Sequence, residues 1–147
     1  MTALLSVLLV WYLLGGLLPL CTTRPHLQNL FAHGCAAAAG VVGIVLGVAG
    51  LLSTAPLTLS LASNMPHLTF AIRLDPLAAF FVLTISLVGV AASIYASGYV
   101  EEFSGRVSVG LLGSLLNGFL LSMTLVVLAD NGFFFLILWE VMSLLSY

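Results

Sequence analysis

One side chain in this sequence stands where its chemistry is costly. Glu140 lies within Gly132–Tyr147, a run that is otherwise free of charge and opens Gly-Phe-Phe-Phe-Leu-Ile-Leu-Trp. Read as a helix capped at Asn131, that run carries Glu140 nine residues in, or ~13.5 Å at 1.5 Å per residue. A hydrocarbon core is ~30 Å thick, so the carboxyl falls near the middle of a bilayer. A charge there costs about 2.5–3.5 kcal/mol on insertion scales. It can stay protonated, or it can pair with a cation in a wet helix bundle. Either way it becomes a group able to exchange a proton. The alternative is a structural glutamate, hydrogen-bonded between helices. Ser143 at i+3 and Tyr147 at i+7 bring two hydroxyls to the same face, as supporting groups that could hold water or simply pack.

The elements that must position Glu140 follow from charge and hydropathy. Hydrophobic residues are 62% of the 147 and charged ones 5%, against about 25% charged in a soluble domain. Residues 1–23, 25–72, 76–100 and 107–129 carry no charge, with Arg24, Arg73, Asp75, Glu101, Glu102, Arg106 and Asp130 between the runs. Each run can hold one spanning helix of about 20 residues. The expectation is an all-α integral membrane protein: a multi-span helical bundle with helices over about 2–20, 31–52, 76–99, 107–129 and 132–147, the last incomplete. No basic cluster suits a nucleic acid. No basic residue precedes the first apolar run and no small-residue cleavage site follows it, so that segment is expected to remain a helix.

Between helices two and three the period changes. Leu57, Leu59 and Leu61 alternate with Thr58 and Ser60. Ser63-Asn64-Met65-Pro66 reads as a turn, and Leu68, Phe70, Ile72 and Leu74 alternate again. That predicts a small surface β-hairpin over about 57–74. Asp75-Pro76 then suits a helix start, as N-cap and first-turn proline, and Asp130-Asn131-Gly132 a tight turn in which Asn131 or Asp130 can cap helix five. Ala36, Gly40, Gly43, Gly47 and Gly50 share one face of helix two. Such a face serves either dimerisation or close packing inside a bundle, and a multi-helix chain favours the second.

Cys21 and Cys35 bracket His26 and His33 without a Cys-x-x-Cys pair. They read as a membrane cysteine and loop histidines, the loop being Cys21–Leu30 with Pro25 discouraging continuation of helix one. No metal site and no cofactor is expected in this chain, so redox chemistry belongs on another polypeptide.

With these residues in hand, the sequence resembles the antiporter-like, proton-translocating membrane subunits of complex I and group 4 hydrogenases. Leu-Asp-Pro-Leu-Ala-Ala-Phe-Phe from Leu74 and Tyr-Ala-Ser-Gly-Tyr-Val-Glu-Glu-Phe from Tyr95 resemble the family's third-helix region. Ala129-Asp130-Asn131 and Trp139-Glu140-Val141-Met142-Ser143-Leu144-Leu145-Ser146-Tyr147 resemble its fourth and fifth helices. Within the family, Glu-Val-Met-Ser-Leu resembles the hydrogenase-4 component B branch. The resemblance implies that Glu140 is the family's essential intramembrane glutamate, that the hairpin is a family feature, and that the N-terminus faces outward in the cell (inner) membrane. It also implies a non-redox subunit of a hydrogenase, formate hydrogenlyase or quinone-reductase complex. Its partners would be further membrane and peripheral subunits, and the lipid bilayer. A cation/proton antiporter subunit of the Mrp type and a non-transporting membrane anchor are the alternatives. The family's glutamate works with a lysine two helices later; no lysine occurs here. Asn131 to Tyr147 makes only ~24 Å of helix, so the 147 residues are expected to be the N-terminal part of a longer protein.

Arginines decide orientation, because acidic residues count little. Arg24 and Arg106 fall on one side and Arg73 on the other, which predicts an outer N-terminus. Single cysteines at 24 and 106 should therefore label from the cytoplasmic face and one at 73 from the outside. Labelling of all three from one face would refute this topology.

Overall fold

The structure, a computed structural model, describes residues 1–61, 70–102 and 108–147. The expected turn Ser63-Asn64-Met65-Pro66, Leu68 of the second alternating run, Arg106 and the start expected for helix four near Val107 lie outside the described residues. Among the described residues, four helices are long and apolar enough to cross a membrane, with a shorter apolar fifth. A two-stranded antiparallel sheet completes a membrane helical bundle.

Helix α1 spans Thr2–Leu17 and tightens into a 3₁₀ turn at Leu18–Cys21. Pro19 explains the change, since it has no N–H to give to the carbonyl four residues back. Helix α2 spans Pro25–Leu51. It starts six residues before the expected Phe31. The reason lies in the residue read as a helix stop: Arg24 is extended (φ −87°, ψ 113°) and Pro25 occupies the first turn, where a missing N–H costs nothing. His26 is thereby carried on α2 together with His33, which already fell within the expected helix, so neither is a loop histidine.

Strands β1 (Leu57–Leu61) and β2 (Phe70–Leu74) pair with Leu57 opposite Leu74, Thr58 opposite Arg73 and Leu59 opposite Ile72. Helix α3 (Pro76–Glu102) starts at Asp75, whose Oδ1 accepts from the Ala78 N–H at 2.9 Å. Helix α4 (Val109–Leu128) starts at Ser108, whose hydroxyl oxygen accepts from the Leu111 N–H at 3.4 Å. Helix α5 (Gly132–Ser146) is capped by Asn131, whose Oδ1 accepts from the Phe133 N–H at 2.8 Å.

α2 packs against α1, α3 and α4. It runs antiparallel to α3, because the Asn29 Nδ2 donates to the Ser97 carbonyl at 2.7 Å while Gly47 lies against Ala79 and Leu83. It runs parallel to α4: the Gly110 N–H donates to Gln28 Oε1 at 3.1 Å and the Asn117 Nδ2 donates to the Ala32 carbonyl at 2.9 Å. The core between these helices holds Leu5, Leu8, Tyr12, Ala39, Leu46, Val82, Leu120 and Leu128. Large apolar side chains such as Leu17, Val88 and Ile94 point outward, as lipid solvation requires.

The glycine face of α2 serves this bundle. A methyl group at Gly40 would strike Val90, and one at Gly43 would strike Ser86. At Gly47 it would lie 2.8 Å from the Leu83 Cβ and 3.0 Å from the Ala79 carbonyl oxygen. Since backbone is the obstacle there, helices must separate to admit it. Gly34, by contrast, faces open space. Gly47→Ala should therefore destabilise the full-length protein in detergent by about 1–3 kcal/mol of overpacking, seen as a lower thermal midpoint. Gly34→Ala should be neutral or slightly stabilising. Equal midpoints for the two variants would overturn this account of the seam.

Candidate functional site

α5 is apolar almost throughout, so its orientation is set by contact with α4. Leu138 is buried, and Leu145 packs on Gly118, where a Cβ would lie 3.2 Å from its Cδ1. Phe134, Leu138, Met142 and Leu145, three to four residues apart, form the stripe turned toward the bundle. Glu140 stands two positions from Leu138, about 200° around the helix. It is exposed, as are Ser143 and Tyr147. The structure thus brings Glu140 and Ser143 onto the side of α5 away from α4, whereas Tyr147, past the end of the helix, lines a cavity with Leu112, Leu115 and Phe119 of α4. Glu140 has no hydrogen-bond or ion-pair partner among the described residues. A glutamate hydrogen-bonded between these helices is not what the geometry holds.

The start of α5 is anchored from the hairpin. The Asp130 N–H donates to the Ala71 carbonyl at 2.9 Å, and Ile72 bridges to Ala129. The ring of Phe70 meets that of Phe134 edge to face at 5.2 Å. Arg73 lies 3.8 Å from Asp130 and 3.9 Å from Asp75. These three side chains are roughly two-fifths to half exposed, so each pair is worth about 0–1 kcal/mol and registers the elements more than it stabilises them. Of the two candidate caps, Asn131 caps α5 and Asp130 serves this cluster. A cavity of about 300 Å³ lies beside it, between the start of α3 and the end of α4.

Two further polar features escaped the sequence reading. Asn117 is fully buried on α4; its amide nitrogen donates to both Ala32 and Gly113 carbonyls at 2.9 Å, and its side chain fills the space over Gly15 of α1. It joins three helices. The signal available was a lone amide in an apolar span, a residue type that hydrogen-bonds across helices. The second is a cleft of about 450 Å³ between α2 and α3, lined in part by His26, Asn29, His33, Ser93 and Ser97. His26, Asn29 and His33 stand at i, i+3 and i+7, a helical spacing that would have revealed a shared face had Pro25 been read as a start.

Residues 61–108 match the family described as NADH-Ubiquinone oxidoreductase (complex I), chain 5 N-terminus. Hydrogenase-4 component B of Escherichia coli (strain K12) is 35% identical over 108 residues, covering 74% of this chain and 16% of that protein. NADH-quinone oxidoreductase subunit L of Mycobacterium tuberculosis is 41% identical over 78 residues, 53% of this chain and 12% of that one. A Staphylococcus aureus protein named as an antiporter subunit is 37% identical over 76 residues, 52% of this chain and 9% of that one. The chain therefore spans less than a fifth of the length of these relatives, and Glu140 lies beyond the segment that the family model matches. A multi-pass helical bundle with a surface hairpin before its third helix, matched in this way to three such subunits, belongs to the antiporter-like membrane-subunit family of complex I and the group 4 hydrogenases.

Proposed function

We propose that this chain is the N-terminal part of a proton-translocating membrane subunit, coupling electron transfer in partner subunits of a hydrogenase-4 or NADH:quinone oxidoreductase-like complex to proton movement, with Glu140 as one terminal of its relay. The observation that carries the reading is the exposure of Glu140, inside an otherwise apolar helix, on the side of α5 that the other described helices leave uncovered. Facing lipid, a charged carboxylate costs about 2.5–3.5 kcal/mol or more. That cost disappears if further helices of the longer protein close over the face and bring a cation or water to it. The resemblance supplies a lysine two helices later. Pairing with it favours the charged forms of both groups. When a neighbouring charge moves and the pair opens, the lysine holds its proton less tightly and passes it on. Ser143, on the same side, would hold water against the carboxyl, with the Tyr147 hydroxyl as a second supporting group at the helix end. In this reading the N-terminus faces outward in the cell membrane, and the chain holds no redox centre of its own.

The Staphylococcus aureus relative, named as an antiporter subunit, favours a second reading in which the coupled partner is a cation gradient and not a redox reaction. Sodium-dependent proton flux without an electron donor would select it.

In the full-length protein within its complex, Glu140→Gln should abolish or strongly reduce proton translocation per assembled complex. Gln keeps size and hydrogen-bonding reach but carries neither a proton nor a charge. Glu140→Asp should fall between, and Asp130→Asn, in the half-exposed cluster, should cost little. Wild-type pumping by Glu140→Gln would refute the relay and favour a membrane anchor.

The 147-residue chain alone, lacking any lysine, should not conduct protons in liposomes. Flux from it that Glu140→Gln removes would show that Glu140 works without the proposed partner.

A further inference from the structure

Helices α2 and α3 touch along the glycine seam but part toward the start of α2. Two turns beyond His33, Gly40 meets Val90 and closes the gap. On the other side of that contact the helices enclose the cleft of about 450 Å³. Its rim includes Gly34 and Gly98, both exposed, and a Cβ at either would meet nothing within 4 Å. Two residues without side chains thus hold the mouth open. Among apolar lining residues such as Leu30, Ala37 and Ile94, the walls carry five polar side chains: His26 and Asn29 toward the end of α2, Ser97 and Ser93 from α3, and His33, which lies farthest in from Pro25 of those on α2.

His33 is the group without an explanation. Only 4% of its surface is exposed, yet neither ring nitrogen meets a hydrogen-bond partner among the described residues. A neutral imidazole has one N–H donor and one nitrogen acceptor. Burial of both unmet is disfavoured at any depth in a membrane. His33 is eight residues from Pro25, ~12 Å along the axis. Twenty-seven residues make α2 ~40 Å long. A ~30 Å hydrocarbon core centred on α2 would then begin ~5 Å from its end, leaving His33 inside it.

We propose that this cleft is a water-filled inlet from the membrane surface, and that His33 is a proton-accepting site at its inner end. The volume has room for on the order of ten waters at ~30 Å³ each. The Ser93 and Ser97 hydroxyls donate to the Gly89 and Ile94 carbonyls at 2.7 and 2.8 Å, which leaves their oxygens able to accept from water. The ring of His33 lines the cleft with its nitrogens covered, so it meets that water by rotating about its side-chain bonds. Among the described residues, the titratable or charged groups on the surrounding faces are His26 on the same helix and Arg24 at its start. α3 presents Ser93 and Ser97, and α4 presents Asn117 to the neighbouring Ala32, none of which titrates. Tyr95 and Tyr99 stack on each other on the outer side of α3. No step of this inlet depends on Glu140.

The test uses single cysteines at 33, 34 and 98 in a cysteine-free background of the full-length protein in native membranes. A charged, membrane-impermeant thiosulfonate is the probe. Position 88, on the lipid face, and position 36, in the core, are the comparisons. The reagent takes the thiolate, and each unit by which lipid raises a thiol's pKa removes tenfold of it, so the cleft positions should react at least about tenfold faster than 88 and 36. Positions 34 and 98 leave His33 in place and have room for the new side chain, so they report even if His33→Cys fails to insert. A cleft whose cysteines react only with a bilayer-soluble maleimide, as position 88 should, is filled by lipid, and the inlet is wrong. The proton site is read separately, from ¹⁵N-histidine spectra of the wild type minus those of His33→Gln, with His33→Asn as the second variant. The imidazole that disappears should titrate between about pH 5 and 8. An imidazole that stays neutral across that range would overturn the assignment, whatever pumping shows.

Discussion

At Gly40, Gly43, Gly47 and Gly50 the backbones of α2 and α3 approach without side chains from α2 between them. Lipid solvates an apolar helix about as well as another helix does, so burial alone gives little reason for two spans to associate. Dispersion across a close contact gives that reason, and it needs residues without bulk. The seam in turn positions the hairpin and the later helices. Gly50 lies against Ala79 and Leu74, the residues on either side of the α3 cap. With Leu74 fixed, β2 runs back across the bundle end, and its Ala71 and Ile72 reach the turn between α4 and α5. The capped start of α5, and with it the height of Glu140, is referred through the hairpin to glycines on α2.

Polar groups inside the bundle are handled in two ways. Hydroxyls turn back on their own helix: Ser93 to Gly89, Ser114 to Gly110, Thr124 to Leu120, each donating to the carbonyl four residues earlier. Such bonds satisfy the donor without linking helices. Amides cross over instead, Asn29 from α2 to α3 and Asn117 from α4 to α2. A primary amide has two donors and reaches farther, so it can serve its own helix and a neighbour together, as Asn117 does with Gly113 and Ala32. The cross-links lock α3 and α4 onto α2 at the end where the glycine seam no longer acts. His33 follows neither pattern, and nor does the buried Ser86 hydroxyl on α3; of the two, only the imidazole is titratable.

Much of this was legible in the sequence because it rests on local rules. Charge-free runs locate the spans, Asp75-Pro76 marks the start of α3, and two-residue alternation gives the strands before any partner is known. The rest depends on information that is not local. Pro25 terminates one helix and opens another with the same missing N–H; only the extended backbone at Arg24 decides between them, and reading it as a stop hid His26, Asn29 and His33 as one face. The inner face of α5 was equally hidden. Phe, Leu, Ile, Trp, Val and Met surround that helix on all sides, so its hydrophobic period says little. The choice falls to Leu138 and Leu145 fitting against α4, a contact specified largely by the glycine at 118.

The two groups assigned proton chemistry lie on different sides of the bundle. Glu140 is on the side of α5 away from α4, whereas the His33 cleft opens between α2 and α3. Between them stands α4, which contains no titratable residue; its Ser114, Ser122 and Thr124 hydroxyls donate to carbonyls of α4 itself. Asn117, the one amide there, is committed to two carbonyls and seated over Gly15. Among the described residues, then, α4 offers no titratable side chain through which the two proposed sites could exchange a proton.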